Sequence, residues 1–111
     1  MHITKDLVAA SSVSLILSLL EDGESYGYAI IQRVRELSDG EIAWTDGMLY
    51  PVLHRLEAQT YISSAWRASE SGRKRKYYAL TRQGRQALAE QKKQWLCVHG
   101  LLTKIWGAGH V

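Results

Sequence analysis

The apolar positions divide the chain into four helical stretches and two short extended runs. From Leu7 to Leu20 hydrophobic residues fall nearly all round a helix: Val8, Val13, Leu15, Ile16, Leu17, Leu19 and Leu20. A helix that is apolar on several faces must be covered on several faces. In a chain of 111 residues that implies cover from a second copy, and Ala9, Ala10, Ser11, Ser12 and Ser14 would allow close approach. Residues 1–6, ahead of this helix, are expected to be loosely held. After the turn Glu21-Asp22-Gly23-Glu24, Ser25 is placed to cap a second helix with the stripe Tyr26, Ile30, Val34 and Leu37, which Ser38-Asp39-Gly40 ends. Thr45 is placed to cap a third, with Leu49, Val52, Leu53 and Leu56 on one face at the 3.6-residue period.

Two β-type runs follow, Tyr61 to Trp66 and Lys76 to Leu80. Between them lies a polar, Gly-containing turn ending in four consecutive bases, Arg73, Lys74, Arg75 and Lys76. Helix, strand, charged turn, strand is the outline of a winged helix, and Glu41 to Trp44 is expected to add a third strand to the wing. Thr81 then caps a final helix from Arg82 to about Trp106. Its positions Gly84, Leu88, Gln91, Trp95, Val98, Leu102 and Ile105 alternate spacings of four and three, a heptad seam with Gln91 as the polar exception. Nothing left in the chain is large enough to cover that seam. Homodimerisation through Leu88, Trp95, Val98, Leu102 and Ile105, aided by the first helix, is the physical consequence. The expected fold is mainly α with a small β-hairpin wing. It comprises a winged helix-turn-helix over residues 1–80 and a C-terminal dimerisation helix and tail over residues 81–111.

Charge sharpens this picture. The net +3 hides a segregation: residues 1–60 carry four Lys/Arg against nine Asp/Glu, and residues 61–111 carry ten against two. A polyanion is the natural partner of such a positive region. Opposite the apolar stripe of the third helix point Gly47, Tyr50, Pro51, His54 and, at the flank, Arg55. That face offers ring, imidazole and guanidinium groups suited to phosphates and base edges. The DNA-contact candidates are therefore Thr45, Tyr50, His54 and Arg55 on the helix, with Arg73, Lys74, Arg75 and Lys76 on the wing. Pro51 is expected where the helix start is irregular, helping to present Tyr50 outward, and Arg55 is expected to form a local pair with Glu57. A two-fold dimer would present two such surfaces to a palindromic duplex site.

Composition mainly excludes. The single Cys97 rules out an internal disulfide framework, and no apolar stretch approaches a membrane span or a signal peptide, so a cytoplasmic location is expected. No phosphate-binding glycine loop, framed carboxylate pair or nucleophile with a recognisable base argues for an enzyme, and no cofactor is called for. Cys97 and His99, two apart on a helix, point about 200° away from each other and would not chelate one ion within a chain. A metal site across a dimer, and a winged helix used only for protein–protein contact, stand as alternative readings.

The segment Met48-Leu49-Tyr50-Pro51-Val52-Leu53-His54-Arg55-Leu56-Glu57 resembles the LYPxLxRLE signature of the PadR-like transcriptional regulators. Ile62-Ser63-Ser64 through Trp66, the run Arg73 to Lys76, and Tyr77, Tyr78, Leu80, Thr81 and Gly84 continue the likeness. Tyr26-Gly27-Tyr28 is similar to the family's segment at the start of the second helix. The resemblance implies a regulator of transcription, most often a repressor. It also implies a small-molecule slot, because multidrug-responsive members carry a tryptophan at the position matching Trp95, where paired indoles flank a flat pore at the dimer centre. Carried over, Trp95 and Val98 would meet their mates, with Leu7, Ala10, Val13 and Ser14 as walls. Val13 and His99 stand where drug-binding relatives have polar or acidic residues. Planar aromatic effectors would suit such a slot.

Overall fold

The computed structural model describes residues 1–108; His110 and the end of the tail lie outside the described residues. Helix α1 runs Lys5–Glu21, α2 Gly27–Leu37, α3 Asp46–Ala58 and α4 Arg82–Ala108. Strands β1 (Ser25–Tyr26), β2 (Ile62–Ala68) and β3 (Lys74–Leu80) form one antiparallel sheet in the order β1-β3-β2. This is a mainly helical fold with a β-hairpin wing and a long C-terminal helix.

Helix α1 starts earlier than its apolar pattern suggests, because Thr4 caps it by accepting a hydrogen bond from the Leu7 amide at 3.3 Å. Lys5 and Asp6 are therefore helical rather than loose. Ile16, Leu17, Leu19 and Leu20 are buried, and α1 touches α2, α3, α4 and β3. The core gathered on it includes Ile30 and Val34 from α2, Leu49, Leu53 and Leu56 from α3, and Ile62, Tyr78 and Leu88.

The third strand is not where the sequence suggested. Ser25 does not cap α2; its backbone pairs with Tyr78 and that of Tyr26 with Tyr77. Tyr26 then takes the N-cap position with no side-chain hydrogen bond to α2. The place beside Tyr77 and Tyr78 on β3 is taken by β1, and Glu41 to Trp44 pairs with no strand among the described residues. That segment is an irregular link, held by the Ile42 amide donating to Ser38 Oγ at 2.9 Å and by the buried Trp44.

Thr45 caps α3, its hydroxyl accepting from the Met48 amide at 3.3 Å. Pro51 lies inside a regular helix rather than at an irregular start. Its missing N–H deprives the Gly47 carbonyl of an intrahelical partner, and both residues are exposed.

Helix α4 is rooted in the same core. Thr81 accepts from the Gly84 amide at 3.0 Å and donates to the Thr60 carbonyl at 2.6 Å. A Cβ on Gly84 would run into the Tyr61 carbonyl oxygen and reach Leu80 at 2.8 Å, so glycine alone lets α4 meet the start of β2. One turn on, Leu88 is 1% exposed. The core thus extends past residue 80, and Leu88 is closed within its own chain with no surface left for a second copy.

Two outcomes are expected. Gly84→Ala should lower stability by about 1–3 kcal/mol in urea or thermal unfolding, because helix propensity gained is outweighed by displaced backbone. Burial raises the Tyr78 phenol above the ordinary tyrosine value, with Tyr50 and Glu57 adding to the shift. A folded-state value above the unfolded one favours the neutral phenol. Its contribution is therefore intact below about pH 10 and is lost as pH climbs from there through the raised value. The Tyr78 hydroxyl meets no hydrogen-bond partner among the described residues. Tyr78→Phe should accordingly cost little at pH 7 and flatten the alkaline loss of stability, as read by urea titrations across pH 7 to 11.

Candidate nucleic-acid interface

The exposed face of α3 and the wing meet at a groove of about 620 Å³. Tyr50 forms its floor, with Tyr26, Gly27 and Tyr28 at the start of α2 on one side and Trp66 with Arg73 to Lys76 on the other. Tyr50 is half-buried rather than freely presented, because its ring packs where a Cβ on Gly27 would sit. His54 is exposed one turn along, its ring centroid 6.4 Å from that of Tyr50. Five residues on a helix turn through about 140°, so Arg55 lies on the opposite flank from Tyr50, toward α1. There it borders a separate cavity with Ser12 and Trp44.

Strand alternation divides the basic run. Arg73 closes the Ser69–Arg73 turn, where the Ser69 amide donates to the Arg73 carbonyl at 2.8 Å and Gly72 adopts φ +81°. The other three bases belong to β3, so Lys74 and Lys76 share one face of the sheet and Arg75 takes the other. Arg75 lies over the Tyr26 ring at 4.4 Å, and Arg67 lies over Tyr77 at 4.9 Å while pairing with Glu24. Lys76 is 3.9 Å from Glu57, whose carboxylate also accepts from Ser64. The expected Arg55–Glu57 pair is thus replaced by a tie between α3 and the wing. Among the described residues Arg73 and Lys74 make no ion pair or cation–π contact, which leaves them the freest of the four to meet an external anion.

Sequence reasoning passed over Tyr28 and Trp66 as site residues. Trp66 pairs with Lys76 across the hairpin and is 66% exposed at the groove. For Trp66 the legible signal was a large aromatic at the end of a β-type run that leads into a basic turn.

At the other end of the chain, the predicted ligand residues come together in part. Ala10, Val13, Ser14, Trp95 and Val98 line a groove of about 460 Å³ between α1 and α4, joined by Gln91 and Gln94. Leu7 and His99 are not among its walls. Trp95 Nε1 donates to Ser14 Oγ at 2.9 Å, and that hydroxyl donates to Gln91 Oε1 at 2.6 Å. The seam's polar exception therefore orients the indole within one chain. A second groove, of about 490 Å³, lies against Trp95 beside Leu15, Leu88 and Leu96, so the indole borders two open spaces. Beyond it Val98, Leu102 and Ile105 are exposed, together with Leu101 and Trp106. Cys97 is exposed, and among the described residues no three His, Cys, Asp or Glu side chains are grouped to hold a metal.

The comparisons agree with this geometry. The model of the "Transcriptional regulator PadR-like family" matches residues 16–90. The chain is 40% identical over 78 residues to the transcriptional regulator Rv3488 of Mycobacterium tuberculosis, covering 70% of this chain and 69% of that one. It is 36% identical over 80 residues to the transcriptional regulator YqjI of Escherichia coli, covering 72% of this chain but 37% of that longer protein. A transcriptional regulator from Clostridium thermocellum superposes with a TM-score of 0.82 at 30% identity, over 92% of this chain and 96% of that one. Winged helix, basic wing and helical signature thus coincide with a family match through the whole site, and the chain belongs to the PadR-like family of transcriptional regulators.

Proposed function

We propose that this regulator acts as a homodimeric, sequence-specific repressor whose wing holds phosphates while α3 reads the major groove. The observation that carries this reading is the shared groove of α3, the start of α2 and the wing, where cations and exposed aromatics converge. Arg73 and Lys74 neutralise phosphates and release counterions, which supplies affinity and salt dependence. Arg75 and Lys76, drawn toward Tyr26 and Glu57, set the angle of the wing and add charge. Thr45, Tyr50 and His54 give register and base-edge contacts, with Arg55 at the far flank.

Dimerisation is supported by the uncovered stripe on the outer half of α4. Leu101, Ile105, Val98, Leu102, Trp95 and Trp106 fall within about 140° of helix circumference, wider than a solvated face needs. Two copies joined there suit a palindromic operator. A planar aromatic effector would stack on Trp95 at the dimer centre and bias the spacing of the two wings, releasing DNA. The Ser14–Gln91 clamp supports this role by presenting the indole faces rather than its edge.

Two measurements test the proposal. In a salt series on operator and scrambled duplexes, Arg73→Ala/Lys74→Ala should weaken both and flatten the log–log salt slope by about 2, one unit per phosphate contact. An unchanged slope would remove the wing from the interface. Trp95→Ala should abolish fluorescence quenching by planar aromatic compounds and leave the dimer intact in sedimentation. Dissociation of that variant would make Trp95 a packing residue instead.

A further inference from the structure

Four aromatic rings line the groove between α3, the start of α2 and the wing, and two of them are already engaged. Tyr26 carries the Arg75 guanidinium at 4.4 Å and meets Tyr77 edge to face, with ring centroids 5.4 Å apart. Tyr50 is packed where a Cβ on Gly27 would sit. The other two, Tyr28 and Trp66, are 64% and 66% exposed. Among the described residues neither makes a ring–ring, cation–π or side-chain hydrogen-bond contact. The cations of the groove divide in the same way. Arg75 and Lys76 are drawn to Tyr26 and Glu57, whereas Arg73 and Lys74 are uncommitted among the described residues.

Two free rings thus share one groove with two free cations, and no acidic residue lines it. A large ring left in water gains free energy when apolar surface covers it. Trp66 pairs with Lys76 across the hairpin, so its indole shares a face of the sheet with Lys74 and Lys76. With phosphates on Arg73 and Lys74, the next surface to reach the rings belongs to the same DNA strand. The bases of an intact duplex are stacked on one another and turn no face sideways. The C–H edges of deoxyribose, between successive phosphates, are open to a ring.

We infer that Tyr28 and Trp66 grip one DNA strand by its deoxyribose rings, as neutral contacts beside the phosphate contacts of Arg73 and Lys74. The inference rests on the proposed DNA reading and adds to it a contribution of a different kind. Covering a neutral ring releases no counterions, so its share of the affinity is independent of salt, and a sugar contact carries no base sequence. Covering about a third of one such ring is worth about tenfold in affinity.

The test uses a mixed-sequence DNA duplex of about 20 base pairs, two helical turns. Trp66→Thr removes the ring and keeps a strand-forming residue, and Tyr28→Gln removes the ring and keeps a helix former. Each should weaken duplex binding by about tenfold and leave the log–log salt slope of the native protein unchanged, and Trp66→Phe should recover most of the loss. Native affinity in both variants would overturn the inference. So would a loss accompanied by a flattened slope, which marks displaced cations rather than a missing ring. Contact is read directly by fluorine NMR of protein labelled with fluorotryptophan, the Trp66 signal being identified by its absence in Trp66→Phe. The duplex should shift that signal saturably and abolish its isotope shift between light and heavy water. A Trp66 signal still open to solvent at saturation would refute the contact. A single strand of equal length that protected Trp66 at lower concentration than the duplex would replace sugar contact by base stacking and overturn the assignment. A native protein that binds no duplex even at low salt would instead sink the DNA reading, an outcome distinct from native-like binding by the two variants.

Discussion

The structure depends on covering one helix. The C-terminal half of helix α1 has no face polar enough to leave in water, so α2, α3, β3 and α4 are all packed around it. Burying a leucine-sized side chain is worth about 1.5–3 kcal/mol, and α1 contributes four such residues to the core. The elements that carry chemistry are held by their contact with this hub. The recognition helix keeps Leu49, Leu53 and Leu56 inward, which fixes Tyr50 and His54 outward or sideways. The wing is held at its base by Tyr78 and Ile62 and at mid-length by the Glu57 carboxylate.

Helices α3 and α4 were legible because each combines a cap with a period. Thr45 and Thr81 stand immediately before stripes of Leu and Val, and both accept amide hydrogen bonds where expected. The wing hairpin was legible from β-branched and aromatic runs flanking a Gly-containing turn. The family signature over Met48 to Glu57 made the regulator's class legible as well.

What escaped the sequence was mostly a matter of edges and alternation. A two-residue strand such as Ser25–Tyr26 has no period, and only the open edge of β3 defines it. Four consecutive bases look like one charged tip until the strand begins at Lys74 and sends neighbours to opposite faces. Glu57 sits two residues from Arg55, yet about 200° around the helix, so its partner is Lys76 on the wing. Leu88 fits a heptad seam as well as any of its members. The close approach allowed by Gly84 pulls that turn of α4 into the monomer's own core. Heptad spacing identifies a face and is silent about which chain covers it.

The continuity of α4 has a mechanical side. It begins clamped against the Tyr61 carbonyl, directly behind the wing, and runs without a break for 27 residues, about 40 Å. A rod fixed at one end behaves as a lever arm. If the helix pivots by about 10° about its far end, the root of the wing, carried with its clamped end, swings through about 7 Å, on the order of one helical turn. Small repacking among the outer side chains of α4 would therefore arrive at the basic hairpin as a displacement of several ångströms.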